Sequence, residues 1–285
     1  MNVLLVRPPD PLQGVSLLSH TRPMNLAYLA AYLRRHGIAV SLHDYELEPF
    51  SPEAFADLLR EKRPTVLGVS CSTPTIGSGA RLCAAAKGVD PGIVTVVGGA
   101  HANGLPVGTL EEFHSFDLLV FGEGEVTLYE LCRAVRDGGS LDAIAGLVRR
   151  RDGRVVQNPR RPLVRDLDAL PLPARDLLPA GTPAGHASRG FANSLRSAEL
   201  FTSRGCPFAC SFCAIQSTFG TEVRCHGLPR IAEEVEDLVR RRGCRHIVVA
   251  DDTFSLDRER ARAICDIFRT HCIPSWNCDT RVTAV

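Results

Sequence analysis

The sequence has 285 residues, which is enough for two domains that each bury their own core. Apolar residues make up 45% of the chain and charged residues 23%, a composition typical of a globular protein and not of a disordered or fibrous one. The 33 Lys and Arg residues nearly balance the 32 Asp and Glu residues, so overall charge does not favour nucleic acid or an anionic membrane as a partner.

The first 140 residues alternate short apolar runs with amphipathic stretches. Helices placed between parallel strands in this way produce a doubly wound α/β sheet, and we predict a Rossmann-like domain over residues 1–140. Ligands of such sheets bind at the carboxyl ends of the strands. The apolar runs predict strands buried on both faces, at residues 2–6, 38–42, 65–70, 93–99 and 117–121.

A hairpin, a linker and a shorter β/α region are predicted to follow. Asp152-Gly153 separates two strand-like pieces, a pattern typical of a hairpin turn. The six prolines in residues 159–196 favour a linker, and we assign residues 141–197 to the hairpin and linker together. Residues 198–285 hold about three further strands with helices between them.

The cysteine count and the absence of export signals bear on the compartment. Eleven cysteines is an odd number, and no N-terminal export signal is visible, so metal or redox use is favoured over a disulfide framework. No apolar stretch approaches the roughly 20 residues of a membrane span, and we expect a cytoplasmic protein. Most of the cysteines outside one short stretch are predicted to be small buried side chains: Cys71, Cys83, Cys132, Cys225, Cys244, Cys265, Cys272 and Cys278.

Residues 203–214, SRGCPFACSFCA, contain the other three cysteines. The spacing of Cys206, Cys210 and Cys213 allows one loop to bind three corners of an iron–sulfur cubane. The fourth iron then keeps an open position, where a substrate or cofactor binds. The alternatives are a zinc site completed by a distant histidine and a group of buried thiols.

The same stretch resembles the signature of the radical S-adenosylmethionine (radical SAM) superfamily, including Phe212 before the third cysteine. The resemblance implies a 4Fe-4S cluster bound by the three cysteines and S-adenosylmethionine chelated to the fourth iron. Reduction of the cluster, by a partner such as flavodoxin or ferredoxin, then cleaves the sulfonium bond and yields a 5′-deoxyadenosyl radical that abstracts hydrogen. In the family, the position of Phe212 lies near adenine.

Two aspartates end the second strand of the predicted β/α region, in ADDTF (250–254). The family places polar groups there that hold the amino group of S-adenosylmethionine. The resemblance therefore implies that Asp251 or Asp252 binds this cofactor, as a carboxylate facing an ammonium group. Alternatively, both aspartates start a turn or cap the next helix.

Three segments of the first domain, 70–87, 97–106 and 121–131, resemble the cobalamin-binding domain that precedes the barrel in one radical SAM subclass. Small residues at strand ends allow backbone and hydroxyl groups to approach a large macrocycle. A corrin or nucleotide-tail contact by His101 competes with a surface or turn role. The predicted cobalamin-binding residues are Ser70, Ser72, Thr73, Gly98, Gly99, His101, Gly122 and Gly124.

One departure from the cobalamin pattern is informative. Many cobalamin domains carry Asp-x-His-x-x-Gly after the first strand, and that histidine binds cobalt. The corresponding loop here, RPPDPLQGVS (7–16), contains no histidine. We therefore predict that cobalamin binds without a histidine ligand to cobalt.

The resemblances together imply a cobalamin-dependent radical SAM enzyme with a partial β/α barrel over residues 198–285. Methyl transfer to an unactivated carbon or phosphorus of a small-molecule or peptide substrate is the predicted reaction, with ring closure or rearrangement as the alternative. The family barrel has about six strands, whereas this sequence ends after the third. A second alternative is therefore a truncated, non-catalytic module that binds cobalamin or a cluster. Few aromatic residues and no sustained basic stretch disfavour a nucleic-acid substrate.

Overall fold

The computed structural model describes residues 1–11, 22–46, 50–178 and 196–284. These residues fall into two compact units. Among them, the first unit comprises residues 1–11, 23–46, 50–163 and 173–178, and the second comprises Arg22 and residues 164–172 and 196–284.

The first unit is built on one seven-stranded sheet in the order β2-β1-β3-β4-β5-β6-β7. Its first five strands are parallel, in the flavodoxin-type version of the predicted doubly wound arrangement. The hairpin predicted at Asp152-Gly153 is confirmed, and it extends the sheet by antiparallel pairing with β5. The strands are β1 Asn2–Arg7, β2 Ala39–Asp44, β3 Val66–Ser70, β4 Val94–Gly98, β5 Leu118–Val120, β6 Leu147–Arg151 and β7 Arg154–Gln157.

Helices cover both faces of this sheet because neighbouring residues of each strand point in opposite directions. In β1, Val3 and Leu5 pack in one apolar core with the first and last helices of the unit. Leu4 and Val6 pack in the other core, with the helices in between. The helices are α1 Met24–Arg35, α2 Pro52–Lys62, α3 Ile76–Val89, α4 Ala100–Gly104, α5 Pro106–Glu112 and α6 Gly124–Asp137.

The second unit contains a three-stranded parallel sheet in the order β12-β11-β8, with one long helix after each of its first two strands. This repeated strand-and-helix pattern confirms the predicted partial barrel, and a separate antiparallel pair, β9 and β10, flanks the cysteine stretch. The elements are β8 Ser197–Leu200, β9 Ser203–Arg204, α7 Gln216–Phe219, β10 Arg224–Cys225, α8 Leu228–Arg240, β11 His246–Val249, α9 Arg258–Thr270 and β12 Ser275–Cys278.

The cysteines outside the 206–213 stretch differ in burial. Cys71, Cys83, Cys132 and Cys244 are buried as predicted, and burial raises the pKa of the Cys71 and Cys132 thiols to about 12. Cys265 and Cys278 are half-buried.

For Cys225 and Cys272 the prediction of a buried side chain is wrong. The two-residue strand β10 turns Arg224 inward and Cys225 outward. Cys272 lies on the turn after α9, with a φ of 54°.

Across the described ranges, no helix is both long and apolar enough to cross a bilayer.

Candidate functional site

The cysteine loop, residues 205–223, leaves the carboxyl edge of the second unit's sheet between β9 and β10. Cys206 is buried, and its Sγ lies 3.6 Å from Oγ1 of Thr253, which follows β11. Cys210 is half-buried and Cys213 is exposed. The Cys213 backbone N–H donates to the Cys210 carbonyl at 3.0 Å, so the second and third cysteines share one turn.

The entry to the cysteine loop requires glycine. Gly205 has a φ of 98°, and a Cβ atom there would collide with the carbonyl oxygen of Glu222. Next to it, the Cys206 backbone N–H donates to the Gly220 carbonyl at 3.5 Å. The two ends of the loop therefore pass against each other, and the first cysteine lies where they meet.

Three thiols within one short loop can each bind a different iron of a cluster. Among the described residues, no three His, Cys, Asp or Glu side chains converge as the ligands of one metal ion. Zinc binds its thiolates at about 2.3 Å from one centre, whereas each cysteine of a cubane binds a different iron. The donor set and its placement in one loop therefore fit an iron–sulfur cluster with three protein ligands.

Asp251 is fully engaged by the strand that precedes the cysteine loop. Its carboxylate is 3% exposed and accepts hydrogen bonds from the backbone N–H groups of Thr202 at 2.6 Å and Ser203 at 3.0 Å. The hydroxyl groups of the same two residues donate to its other oxygen. Asp251 thus ties the end of β11 to the segment between β8 and β9.

Asp252 has a different environment. Burial raises the pKa of its carboxyl group, the Asp251 charge adds to this, and a hydrogen bond from the Gly205 backbone acts in the opposite direction. The side chain of Asp252 thus lies beside the entry of the cysteine loop. The Phe212 ring, by contrast, is 90% exposed. Both oxygens of the Asp251 carboxylate already accept hydrogen bonds from Thr202 and Ser203. The Asp252 carboxylate beside the loop can therefore still accept hydrogen bonds from a ligand.

Part of the predicted linker is hydrogen-bonded to β10, the strand after the cysteine loop, and to the residues that follow it. Asp168 accepts from the buried His226 ring at 3.0 Å and from the Gly227 N–H at the start of α8. Burial lowers the pKa of His226; burial alone would raise that of Asp168, but hydrogen bonds from His226 and Gly227 hold it below its usual value. Arg224 donates to the Val164 carbonyl at 2.7 Å. Residues 164–172 are therefore a packed part of the second unit.

In the first unit, the loops after β3, β4 and β5 meet at the carboxyl edge of the sheet, as predicted. Oγ1 of Thr73 lies 3.2 Å from Nδ1 of His101, which joins the loop after β3 to α4. The Gly122 N–H donates to the Asn103 side chain at 2.6 Å, which joins α4 to the loop after β5. The Ser70 hydroxyl accepts from Asn25 of α1 at 2.6 Å.

This edge has room and polar groups for a large ligand. Gly99 has a φ of 95°, and a Cβ atom there would lie 2.7 Å from the Cys71 carbonyl oxygen, so the strand-to-helix turn needs glycine. At Gly122 a Cβ atom would meet no atom within 4 Å. The His101 Nε2 atom is buried and has no hydrogen-bond partner among the described residues. The edge thus combines an unsatisfied nitrogen of His101, open backbone at Gly122 and the exposed residues Ser72 and Thr73. These features fit a large ligand that has its own polar groups, such as cobalamin.

Several contacting residues were not predicted from the sequence. Asn25 and Asn103 reach two predicted cobalamin-site residues, and Thr75 bonds the hydroxyl and backbone of Ser72. In the second unit, Thr253 contacts Cys206. Asn103 lies within the motif HANG and Thr253 within ADDTF, so both motifs held a signal. Asn25 carried none, because only the fold brings α1 to this edge.

Comparison with known proteins gives an independent result. Residues 14–132 match the family described as the B12 binding domain. An uncharacterized methyltransferase of Pyrococcus horikoshii is 32% identical over 99% of this chain and 60% of its own length. An anaerobic magnesium-protoporphyrin IX monomethyl ester cyclase of Rubrivivax gelatinosus is 29% identical over 100% of this chain and 51% of its own length.

A solved structure shares the fold across nearly the whole chain. TsrM of Kitasatospora setae, a radical S-adenosylmethionine methyltransferase with tryptophan substrate and an S-adenosylmethionine analogue bound, gives a TM-score of 0.75. The match covers 96% of this chain and 52% of TsrM at 21% identity, so it shows a common fold. The chain thus spans 51% to 60% of the length of these three proteins.

Proposed function

We propose that this chain belongs to the cobalamin-binding subclass of the radical SAM superfamily and that it is part of an enzyme that uses cobalamin, a 4Fe-4S cluster and S-adenosylmethionine. The observation that carries the proposal is the cysteine loop at the carboxyl edge of the second unit, in the same chain as a B12 binding domain. The proposed reaction is methyl transfer to a small-molecule or peptide substrate.

The residues of the cysteine loop have separate roles in this proposal. Cys206, Cys210 and Cys213 bind three irons as thiolates, and Gly205 allows the chain to turn tightly before the first of them. With its fourth iron open, the cluster supplies one-electron cleavage of S-adenosylmethionine. Asp252 accepts hydrogen bonds from the amino group of the methionine part, because its carboxylate lies beside the loop entry and that of Asp251 is already saturated by Thr202 and Ser203.

In the first unit, the proposal assigns the corrin and its nucleotide tail to the edge formed after β3, β4 and β5. Gly98 and Gly122 leave backbone open to a flat ligand, and the buried Nε2 atom of His101 gains a polar partner from it. The Thr73 contact fixes the orientation of the His101 ring. Bound there, cobalamin supplies the methyl group.

Ring closure is the second candidate reaction. It is favoured by the 29% identity with the cyclase of Rubrivivax gelatinosus, which extends over the whole of this chain. Methyl transfer ranks first because the relative with 32% identity and the solved structure are both described as methyltransferases.

The proposed enzymatic activity is tested with protein that is purified without oxygen and whose cluster is reconstituted without oxygen. This protein is then mixed with dithionite and S-adenosylmethionine. We expect 5′-deoxyadenosine to form over several turnovers, measured by liquid chromatography. Protein that carries a full cluster and forms none would contradict the proposed chemistry and favour a binding module.

Cobalamin binding is tested by replacing Gly98 with Trp. The backbone tolerates a side chain there, since a Cβ atom would make only ordinary contact with the Val120 carbonyl at 3.6 Å. An indole at this position would occupy the proposed corrin site, so we expect binding of hydroxocobalamin, followed by its visible absorbance, to fall by about tenfold or more.

The matched control is Gly88→Trp, which also enters open space but lies near the end of α3, away from the carboxyl edge. It should bind cobalamin like the unaltered protein. Equal binding by the Gly98→Trp and Gly88→Trp variants would show that cobalamin binds elsewhere.

A further inference from the structure

Arg281 follows the third strand of the second unit and reaches the cysteine loop. Strand β12 is parallel to β11, which is parallel to β8, so all three strands end at the edge from which the loop leaves. Nη1 of Arg281 lies 3.8 Å from Sγ of Cys210. Its guanidinium carbon lies 4.0 Å from the centre of the Phe208 ring. One side chain therefore contacts both a predicted ligand and an aromatic residue two positions before it.

The charge of Arg281 is directed at the loop. A guanidinium group is a positively charged donor of hydrogen bonds and accepts none. Within the part of the chain that the structure describes, no carboxylate forms an ion pair with Arg281. Stacking on Phe208 holds the guanidinium plane in place through a cation–π contact.

A second residue holds the same part of the loop without charge. Nε2 of Gln216 in α7 donates to the Phe208 carbonyl at 3.0 Å. Phe208 is thus fixed through its backbone by Gln216 and through its ring by Arg281. Replacing Gln216 therefore tests a purely mechanical effect on the loop, whereas replacing Arg281 also removes a charge.

We propose that Arg281 is a positioning residue that holds Cys210 in place and raises the reduction potential of the cluster bound by the loop. The inference rests on the proposed function, since it needs that cluster. Hydrogen bonds to the cysteine sulfurs and nearby charge set the potential of iron–sulfur clusters. Uptake of one electron adds negative charge, which a cation beside the Cys210 sulfur stabilises.

The test is a redox titration of reconstituted protein with dithionite as the electron donor, followed by electron paramagnetic resonance. At matched iron and sulfide content, we expect the ratio of reduced to oxidised cluster at a given potential to be about tenfold lower in Arg281→Gln, which is a shift of about 59 mV to lower potential for a one-electron couple. Arg281→Lys keeps the charge and should recover most of the shift. Gln216→Ala loosens the loop and should leave the midpoint unchanged.

Phe208→Leu provides a second variant in case Arg281→Gln binds too little iron. It keeps the charge of Arg281 but removes the ring that orients it, so the midpoint should fall in the same direction by less. Wild-type midpoints in both Arg281→Gln and Phe208→Leu would overturn the inference and leave the proposed function standing. A midpoint lowered equally by Gln216→Ala would show that Arg281 acts only by holding the loop. Wild-type protein without a cluster would overturn both proposals.

Discussion

Replacing Cys206 with serine is expected to remove the cluster and with it the cleavage of S-adenosylmethionine. Thiolate sulfur is the ligand that iron–sulfur clusters require, and a serine hydroxyl replaces it poorly, so 5′-deoxyadenosine formation should fall by about 100-fold or more. Cys206 is buried beside Thr253, which a serine hydroxyl can also contact, so the fold should persist. Iron and sulfide analysis, absorbance near 400 nm and product formation measure the effect.

The matched control is Cys272→Ser, because Cys272 is exposed on the turn after α9 and is not part of the loop. This variant should keep its iron, sulfide and activity. Cys210→Ser and Cys213→Ser should behave like Cys206→Ser, since each binds its own iron. Full cluster content in any of the three loop variants would remove that cysteine from the ligand set.

Replacing Asp251 with alanine should destabilise the second unit by about 3–5 kcal/mol. The carboxylate is 3% exposed and accepts from both backbone and hydroxyl groups of Thr202 and Ser203. Alanine leaves these donors buried without an acceptor. Chemical unfolding followed by circular dichroism, or by the fluorescence of Trp276 in this unit, measures the loss.

Two neighbouring variants make this prediction specific. Asp251→Asn keeps one carbonyl oxygen for the backbone N–H groups, and the hydroxyls can turn to accept from its amide, so we expect a loss of only about 1–2 kcal/mol. Burial raises the pKa of the Asp252 carboxyl group, which means that it disfavours the charge that Asp252→Asn removes. This variant should therefore change stability little. It should instead weaken S-adenosylmethionine binding. The reverse result, with Asp251→Asn stable but unable to bind the cofactor, would exchange the two roles.

Strand positions in the first unit could be predicted because parallel strands buried on both faces are continuous apolar runs. The runs at 2–6 and 65–70 correspond to β1 and β3, which are Asn2–Arg7 and Val66–Ser70 in the structure. The meeting of Thr73, His101 and Gly122 at one edge also followed from the sheet topology. Local patterns sufficed here because each strand and its following loop are contiguous in sequence.

Contacts between distant segments could not be predicted in this way. The proline-rich stretch around Asp168 has no sustained period, and only the fold brings its carboxylate to His226, 58 positions later. Arg281 is separated from Cys210 by 71 positions, and an arginine after a strand is compatible with a solvated surface residue. The two adjacent aspartates 251 and 252 look alike in sequence, and they differ only in which neighbours the fold places around each carboxylate.

Iron, sulfide and zinc analysis of oxygen-protected protein, combined with electron paramagnetic resonance of the dithionite-reduced sample, tests the central claim most directly. We expect four irons and four sulfides per chain, and a cluster signal that changes when S-adenosylmethionine is added, because the fourth iron is open to it. Zinc at these thiols, an absence of inorganic sulfide, or a signal indifferent to S-adenosylmethionine would contradict this claim.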